Sequence, residues 1–592
     1  MRQSIFLFSL VWGATAFCSI AEQARSGSDA APSCVAQVAL GPKVAWNGGV
    51  NAADPAKRQV IANSMRGYFL MNYLYRNGKL QDVIDSLDKF QKMGVKLLWL
   101  NPVHEQTVMH WKNPLSTLDT KDPALGIEDN PFKGARDDAQ EHNNHGYWVS
   151  DHFSVAQRLG GPEKLKTLVI EARKRGIEIC LDTVLNHFGY PADESVRFKI
   201  GDEWVHPGNE EFFKSVYGRT RHYQVPVNLY RTLSSADEAS AARSAQKELA
   251  VYALENLAAL EHKNPKVQQY LIDAYKYFFD EMGIRTFRID AAKHYSQKFL
   301  AQFINALNDH AASKGEQITF IVEFLEYRDS VLDVFVNDLV AAVKDSSLLF
   351  FLDFPLAREL RRLHYDEASE SKRLPYQNLK GHITYRDSTR PTSRMIPMVE
   401  DHDLSSPISD EFFDRMIYIT AEFFSYNPVV LFHGNEGNRA PQQARSLIDD
   451  VDPDGAVAKY VNRLGEALAP YRATASFKTS HFHAAEGDFM LVEKARDTNH
   501  SIFLMTEKSG QAGFQATVQL PTHLNGRDFR FVMGGNGSEL AIREVSGGYE
   551  LYEMNDTKRI LAELSVEHKG PGLVLNVRSY DKFFAVFEMV TP

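Results

Sequence analysis

Ionisable side chains gather in four short stretches of this chain, each following an apolar run: Leu185-Asn186-His187, Arg288-Ile289-Asp290-Ala291-Ala292-Lys293-His294, Val322-Glu323 and Glu400-Asp401-His402-Asp403. One acidic residue in such a place is ordinarily a solvated loop or capping residue, and Asp182 with Arg288 could pair in an interior simply to satisfy each other. Four coincidences on separate runs call for chemistry. Three carboxylates with an arginine and histidines suit glycoside cleavage, in which one carboxylate attacks the anomeric carbon and a carboxylic acid protonates the departing oxygen. Phosphoryl, hydride and zincin chemistry fit worse, because the chain carries no GxxxxGK[ST], no GxGxxG after a strand and no HExxH. His142 and His145 share a long connection with Asn143 and Asn144, but no second cluster at ligand spacing completes a zinc site.

The elements that must position these groups are legible as eight apolar runs, at 67–72, 96–101, 177–183, 284–290, 318–324, 348–354, 395–399 and 428–432. They alternate with helix-period segments such as 80–93 and 161–175, the second opening with Gly-Pro and ending at Gly176. Eight β-then-α units predict a (β/α)8 TIM barrel, in which reacting groups sit at the C-terminal ends of the strands, where the four stretches lie. The connections 102–145 and 189–254 are too long for ordinary loops, and the latter, after strand 3, reads as an inserted domain. Beyond residue 475 short alternating runs punctuated by Gly-Gly and Asn-Gly predict a C-terminal antiparallel β-sandwich. The expected organisation is a signal peptide at 1–21, an N-terminal extension at 22–60, a first barrel part at 61–188, an inserted domain at 189–253, a second barrel part at 254–474 and the sandwich at 475–592.

With 592 residues, 44% hydrophobic and 24% charged, the chain has an ordinary globular composition, which excludes disordered, collagenous and coiled-coil classes. A net charge of −10, from 66 Lys+Arg against 76 Asp+Glu, gives no broad basic footprint, so nucleic acid is not expected as a partner. Arg2, the apolar small-residue stretch 5–20 and the pair Ser19 and Ala21 have the form of a secretory signal with its cleavage site. Secretion or a periplasmic location follows as an expectation, with no membrane association after cleavage. Cys180, inside an apolar run, reads as a small core residue. The oligomeric state is left open by the sequence.

In order along the chain, His145-Gly146-Tyr147-Trp148, Asp182-Thr183-Val184-Leu185-Asn186-His187, the stretch from Gly283 through Arg288 and Asp290 to His294, Glu323 after an apolar strand, and His402-Asp403 resemble the recurring segments of the α-amylase family of glycoside hydrolases (family 13). The resemblance spans roughly residues 60–445. It implies that Asp290 is the nucleophile, Glu323 the general acid/base and Asp403 the carboxylate that stabilises the transition state. It further implies that Arg288 holds Asp290 ionised, that His187 and His402 contact sugar hydroxyls, that Tyr147 stacks on the sugar ring, and that Lys293 and His294 lie on the leaving-group side. The Lys-His pair is similar to that of α-amylases, cyclodextrin glucanotransferases and maltodextrin-acting relatives, and implies an α-glucan or maltooligosaccharide substrate with α-1,4 bonds. Where the family often carries an arginine beyond His-Asp, this chain reads Leu404-Ser405-Ser406-Pro407. No cofactor is needed for the chemistry. The family's structural calcium would use Asn186 and the carbonyl of His294, but its aspartate position reads Ala259, which predicts weak or absent binding. A transglycosylase on the same site and a non-catalytic glucan-binding barrel are the alternatives, and retention of Asp290, Glu323 and Asp403 argues against the second.

Overall fold

The computed structural model describes residues 66–106, 145–191, 198–200, 203–205, 257–260, 262, 265–294, 296–365, 375–389, 392–403, 410–434, 448, 450–525, 527–569 and 572–590. The expected signal peptide and N-terminal extension lie outside these residues. So does most of the segment expected as an inserted domain, of which the hairpin Phe198–Ile200 with Glu203–Val205 is described. At its base His187–Pro191 pairs antiparallel with Leu257–Ala259.

Each of the eight apolar runs forms a strand: β1 (Gly67–Leu70), β2 (Leu97–Leu100), β3 (Glu178–Thr183), β4 (Thr286–Ile289), β5 (Thr319–Val322), β6 (Leu349–Leu352), β7 (Met395–Ile396) and β8 (Leu431–Phe432). They pair in parallel in the order β7-β6-β5-β4-β3-β2-β1-β8, and a parallel bridge between Met398 and Val430 closes the ring between its two ends. Strands buried on both faces read as continuous apolar runs because one face meets the helices and the other the barrel interior. Alternate residues build the two layers. Phe69, Leu97, Trp99, Cys180, Ile321, Phe350, Leu352, Ile396, Val430 and Phe432 fill the interior, whereas Leu70, Leu98, Leu100, Ile179, Leu181, Phe287, Ile289 and Phe351 join the larger core toward the helices.

The outer helices are α1 (Leu80–Asp85), α2 (Leu87–Lys92), α3 (Gly161–Lys174), α4 (Pro265–Asp280), α5 (Gln297–Ser313), α6 (Asp329–Ala342), α7 (Phe354–Tyr365), α8 (Pro375–Thr389), α9 (Glu411–Phe424) and α10 (Ala456–Arg472). The one helix expected over 80–93 is divided at Ser86. Its hydroxyl donates to the carbonyl of Asp82 at 3.0 Å and is itself bonded by Tyr75 Oη at 2.6 Å, a side-chain competition with the helical backbone that the apolar period does not reveal. Ser296 caps α5 by accepting the N–H of Phe299, and Asp410 caps α9 by accepting those of Phe412 and Phe413. On the face away from the strand ends, Glu422 of α9 is wholly buried between two guanidinium groups, with Arg66 at 2.7 Å and Arg472 at 2.9 Å.

The C-terminal region has ten antiparallel strands, β9 (His481–Glu486), β10 (Phe489–Asp497), β11 (His500–Glu507), β12 (Phe514–Leu520), β13 (Asp528–Asn536), β14 (Ser538–Val545), β15 (Gly548–Glu553), β16 (Asp556–Lys569), β17 (Gly572–Ser579) and β18 (Phe583–Val590). β13 and β14 pair only through Gly535–Glu539 and Asn536–Ser538, so the sheet folds over there and its halves face each other. Leu491, Phe503 and Met505 from one half meet Leu551, Leu564 and Val577 from the other, which makes the expected sandwich. Tyr376 of α8 accepts a hydrogen bond from Thr506, and Lys582 pairs with Asp410, fastening the sandwich to the barrel.

Candidate active site

The inward period of two decides which side chains reach the rim. On β3 the residue after Cys180 in that period is Asp182, on β4 the inward residue is Arg288 and the next is Asp290, and on β5 Ile321 is followed by Glu323. Register then places Arg288 directly beside Asp182 and Ile321. A guanidinium and three carboxylates therefore converge at the C-terminal end of three neighbouring strands, the rim where barrel enzymes carry their chemistry.

Arg288, wholly buried, organises the group. Its Nη1 lies 2.7 Å from Asp182 Oδ1 and 2.8 Å from Asp290 Oδ1, and its Nη2 lies 2.8 Å from Glu323 Oε1. Asp182 also accepts from Tyr147 Oη at 2.7 Å and from Trp99 Nε1 at 3.2 Å. Asp290 and Glu323 are 7% and 4% exposed, so each keeps a small face toward the cleft. Between them the chain makes an unusual turn: Ala291 has φ of 49°, a left-handed conformation costly for a residue with a Cβ. It aims the Ala291 N–H at Glu323 Oε2, 2.6 Å away, while the Ala292 N–H meets the Glu323 carbonyl at 3.0 Å. The strain thus ties the two carboxylates to one another.

The electrostatics differ from the expectation that Arg288 holds Asp290 ionised. Burial is the largest influence on both aspartates and pushes Asp182 up to about 6 and Asp290 well above the usual carboxylate range, with Arg288 opposing. Glu323, Asp182 and Asp403 add further upward pressure on Asp290. One cation faces three buried carboxylates, so burial and mutual repulsion favour a proton on the pair Asp182 and Asp290. An ionised Asp290 requires that this proton sit on a neighbour.

The remaining residues named from sequence fall as follows. His402 stacks on Tyr147, with ring centres 5.0 Å apart and planes inclined by 12°, and its edge meets Phe69. Asp403 is the more open carboxylate, its side chain 36% exposed, with Nε2 of His402 at 3.5 Å and its own N–H bonded to Asp401 Oδ1. Tyr147 is engaged by Asp182 and His402, and its hydroxyl is held far up in pKa, first by burial. His187 is buried, its Nε2 lying 3.1 Å from the Tyr147 carbonyl, and burial lowers its pKa to about 4, so it is neutral at pH 7. Lys293 and His294 occupy the short 3-10 turn Ala292–His294. Lys293 is drawn to the Leu325 carbonyl at 2.7 Å.

The described residues do not fit a calcium ion. Asn186 is wholly buried and its Oδ1 meets no hydrogen-bond donor, which is one suitable oxygen. Residue 259 is alanine, and among the described residues no group of three or more His, Cys, Asp or Glu side chains could hold a metal. Calcium wants six to eight oxygens with carboxylates among them.

Three features escaped sequence reasoning. Trp99 closes the far side of Asp182, and its ring lies 5.1 Å from the Arg288 guanidinium carbon and stacks on Phe69 at 4.0 Å. Its inward phase on β2 was the available signal. Ala291 gave none, since its type is ordinary for a turn. Glu326, three residues past Glu323, was the third.

Comparison with known proteins agrees with this geometry. The family description "Alpha amylase, catalytic domain" matches residues 45–404, more than half of the chain. The chain belongs to the α-amylase family. Among its family relatives, a cyclomaltodextrinase from a Bacillus species is 25% identical over 289 residues, covering 46% of this chain and 41% of that relative. The chain therefore spans less than half the length of that curated relative. An α-amylase of Geobacillus thermoleovorans, solved with acarbose, superimposes with a TM-score of 0.56 at 18% identity, covering 90% of this chain and 99% of the other. A cyclomaltodextrin glucanotransferase with three domains gives a TM-score of 0.61 at 16% identity, covering 89% and 99%. These likenesses establish the α-amylase fold of barrel and C-terminal sheets.

Proposed function

We propose that the chain is a retaining glycoside hydrolase that cleaves α-1,4 bonds in starch-derived glucans or maltodextrins. The observation that carries this is that one buried guanidinium pairs with Asp290 by Nη1 and with Glu323 by Nη2, an arrangement that suits a nucleophile beside an acid. Asp290 attacks the anomeric carbon while Glu323 gives its proton to the glycosidic oxygen, so the C1–O bond breaks as the C1–carboxylate ester forms. Glu323, now ionised, takes a proton from water, the oxygen of that water bonds to C1, and Asp290 leaves. Asp403, the open carboxylate across the cleft, offers negative charge to the oxocarbenium-like transition state. His402 and Tyr147 supply the flat wall beside the sugar, and His187, buried behind Tyr147 with its Nε2 on the Tyr147 carbonyl, backs that wall rather than meeting a sugar hydroxyl.

Substrate class is supported by the Lys293-His294 pair and by relatives named cyclomaltodextrinase and alpha-amylase. Residues 1–21 support export before the enzyme acts. The test is chromatography of products from starch, maltoheptaose, cyclodextrin, pullulan, sucrose and trehalose. Maltooligosaccharide products from the first three are expected. Cleavage confined to sucrose or trehalose would refute the substrate assignment.

A further inference from the structure

Between the end of β3 at Thr183 and the pairing that begins at His187, Val184 and Leu185 are wholly buried. Buried peptide groups need partners, and here side chains supply them. The Val184 N–H donates to Tyr275 Oη of α4 at 3.0 Å, the Val184 carbonyl accepts from His152 Nε2 at 2.7 Å, and the Leu185 carbonyl accepts from His262 Nε2 at 2.8 Å. Because Tyr275 Oη already accepts the Val184 N–H, its own hydrogen is directed to His104 Nε2, 3.2 Å away, which leaves the His104 proton on Nδ1, 3.3 Å from the Ser154 carbonyl. His104, His152 and Tyr275 are wholly buried, and burial lowers both imidazoles, His104 to about 4 and His152 well below the ordinary histidine value, so both are neutral at pH 7 and keep these roles.

What this anchoring serves follows from the Val184 side chain, which packs with Tyr147 and Val149 in a small cluster of their own. Tyr147 bonds Asp182 through its hydroxyl and stacks on His402 through its ring. A ring presents a fixed face to a ligand only when it is held from behind, and Val184 is one of the supports at its back. We propose that Tyr275 and His152 are positioning residues that hold the Tyr147 wall through Val184, and so set how tightly the sugar beside that wall is bound without touching it. This rests on the hydrolase reading above. The wall meets the sugar in the ground state and in the transition state alike, whereas Asp290 and Glu323 keep their places on Arg288. Slackening the wall therefore weakens binding and leaves the chemical step nearly as it was.

The experiment measures kcat and KM on maltoheptaose and on α-maltosyl fluoride, which share the sugar at the wall and differ in the leaving group. Tyr275→Phe keeps the ring and removes the hydroxyl, and it is expected to raise KM about tenfold on both substrates with kcat within about twofold, the scale of one lost hydrogen bond. His152→Leu should do the same, and His152→Gln, whose amide nitrogen can still donate to the Val184 carbonyl, should restore KM. In a Tyr147→Ala background Tyr275→Phe should raise KM no further, because the wall it holds is gone. A lower melting temperature with KM unchanged, a loss confined to kcat, or losses that add in the double variant would each overturn the proposal. Should Tyr275→Phe fail to fold, the contrast between His152→Leu and His152→Gln decides, and equal KM values in those two overturn it. A wild-type protein that cleaves neither substrate refutes the hydrolase reading, and this proposal with it, before any variant is made.

Discussion

Replacing Asp182 by Asn tests whether the active-site cluster is governed by a shared proton. Asp182 Oδ1 and Asp290 Oδ1 sit on the same Arg288 nitrogen at 2.7 and 2.8 Å, so they are no more than about 5.5 Å apart. At an effective dielectric of ~20, two unit charges at that distance repel by about 3 kcal/mol, or roughly a hundredfold in proton affinity. Asp182→Asn removes that repulsion and nearly preserves shape, so Asp290 ionises more readily. Asp182 is itself partly protonated near pH 6, so the full effect is a ceiling. The acid limb of the kcat/KM profile on maltosyl fluoride is expected to move down by about one pH unit, with two as the limit. Stability supplies an independent check of sign. The folded-state pKa of Asp182 is raised to about 6, whereas the unfolded value is about 3.9. The stability this group contributes is therefore complete below about pH 4 and lost as pH rises through 6. The melting temperature of the variant minus that of the wild type should thus rise between pH 4 and 7. An acid limb that stays in place or moves up, in a variant that folds, would refute the shared-proton argument.

Asp290→Asn should lower kcat by at least about 10⁴-fold with an unchanged far-UV spectrum, because the amide fills the same space but cannot attack C1, and near-normal turnover would displace the nucleophile elsewhere. Glu323→Gln should fail on maltoheptaose yet recover the first step on an activated leaving group, which a burst of fluoride from maltosyl fluoride reports. Proton NMR of the first-formed product should show the α-anomer, since two inversions at C1 restore the configuration, and early β-anomer would exclude the mechanism. Excess chelator should move the melting temperature by little, because Ala259 offers no carboxylate, and a large drop restored by millimolar calcium would show a site built from other residues. Glu422→Gln should destabilise by about 3–5 kcal/mol, a fall on the order of 10 °C in melting temperature, as Arg66 and Arg472 are left as buried cations without their shared anion.

The sequence by itself determined the eight strands and the rim on which the chemistry lies, because both follow from local periodicity. An apolar run bounded by helix-period segments has one stable use in a domain of this size, and a period of two along β4 puts Arg288 and Asp290 on the same face whatever surrounds them. The Gly-punctuated alternation after residue 475 specified the sandwich for the same reason. Tertiary structure alone decided what those side chains meet. Trp99 lies 83 positions before the aspartate it bonds, and only the pairing of β2 with β3 brings them together. Ala291 takes a left-handed turn because Glu323, on the next strand, accepts its N–H, and nothing in the residue type announces it. The division of the first helix at Ser86 and the burial of Glu422 between Arg66 and Arg472 likewise depend on partners supplied by closure of the ring. The charge state of the site is the clearest case: motif residues name one arginine beside one aspartate, but the closed barrel confronts that arginine with three desolvated carboxylates, and burial then outweighs the single favourable pair.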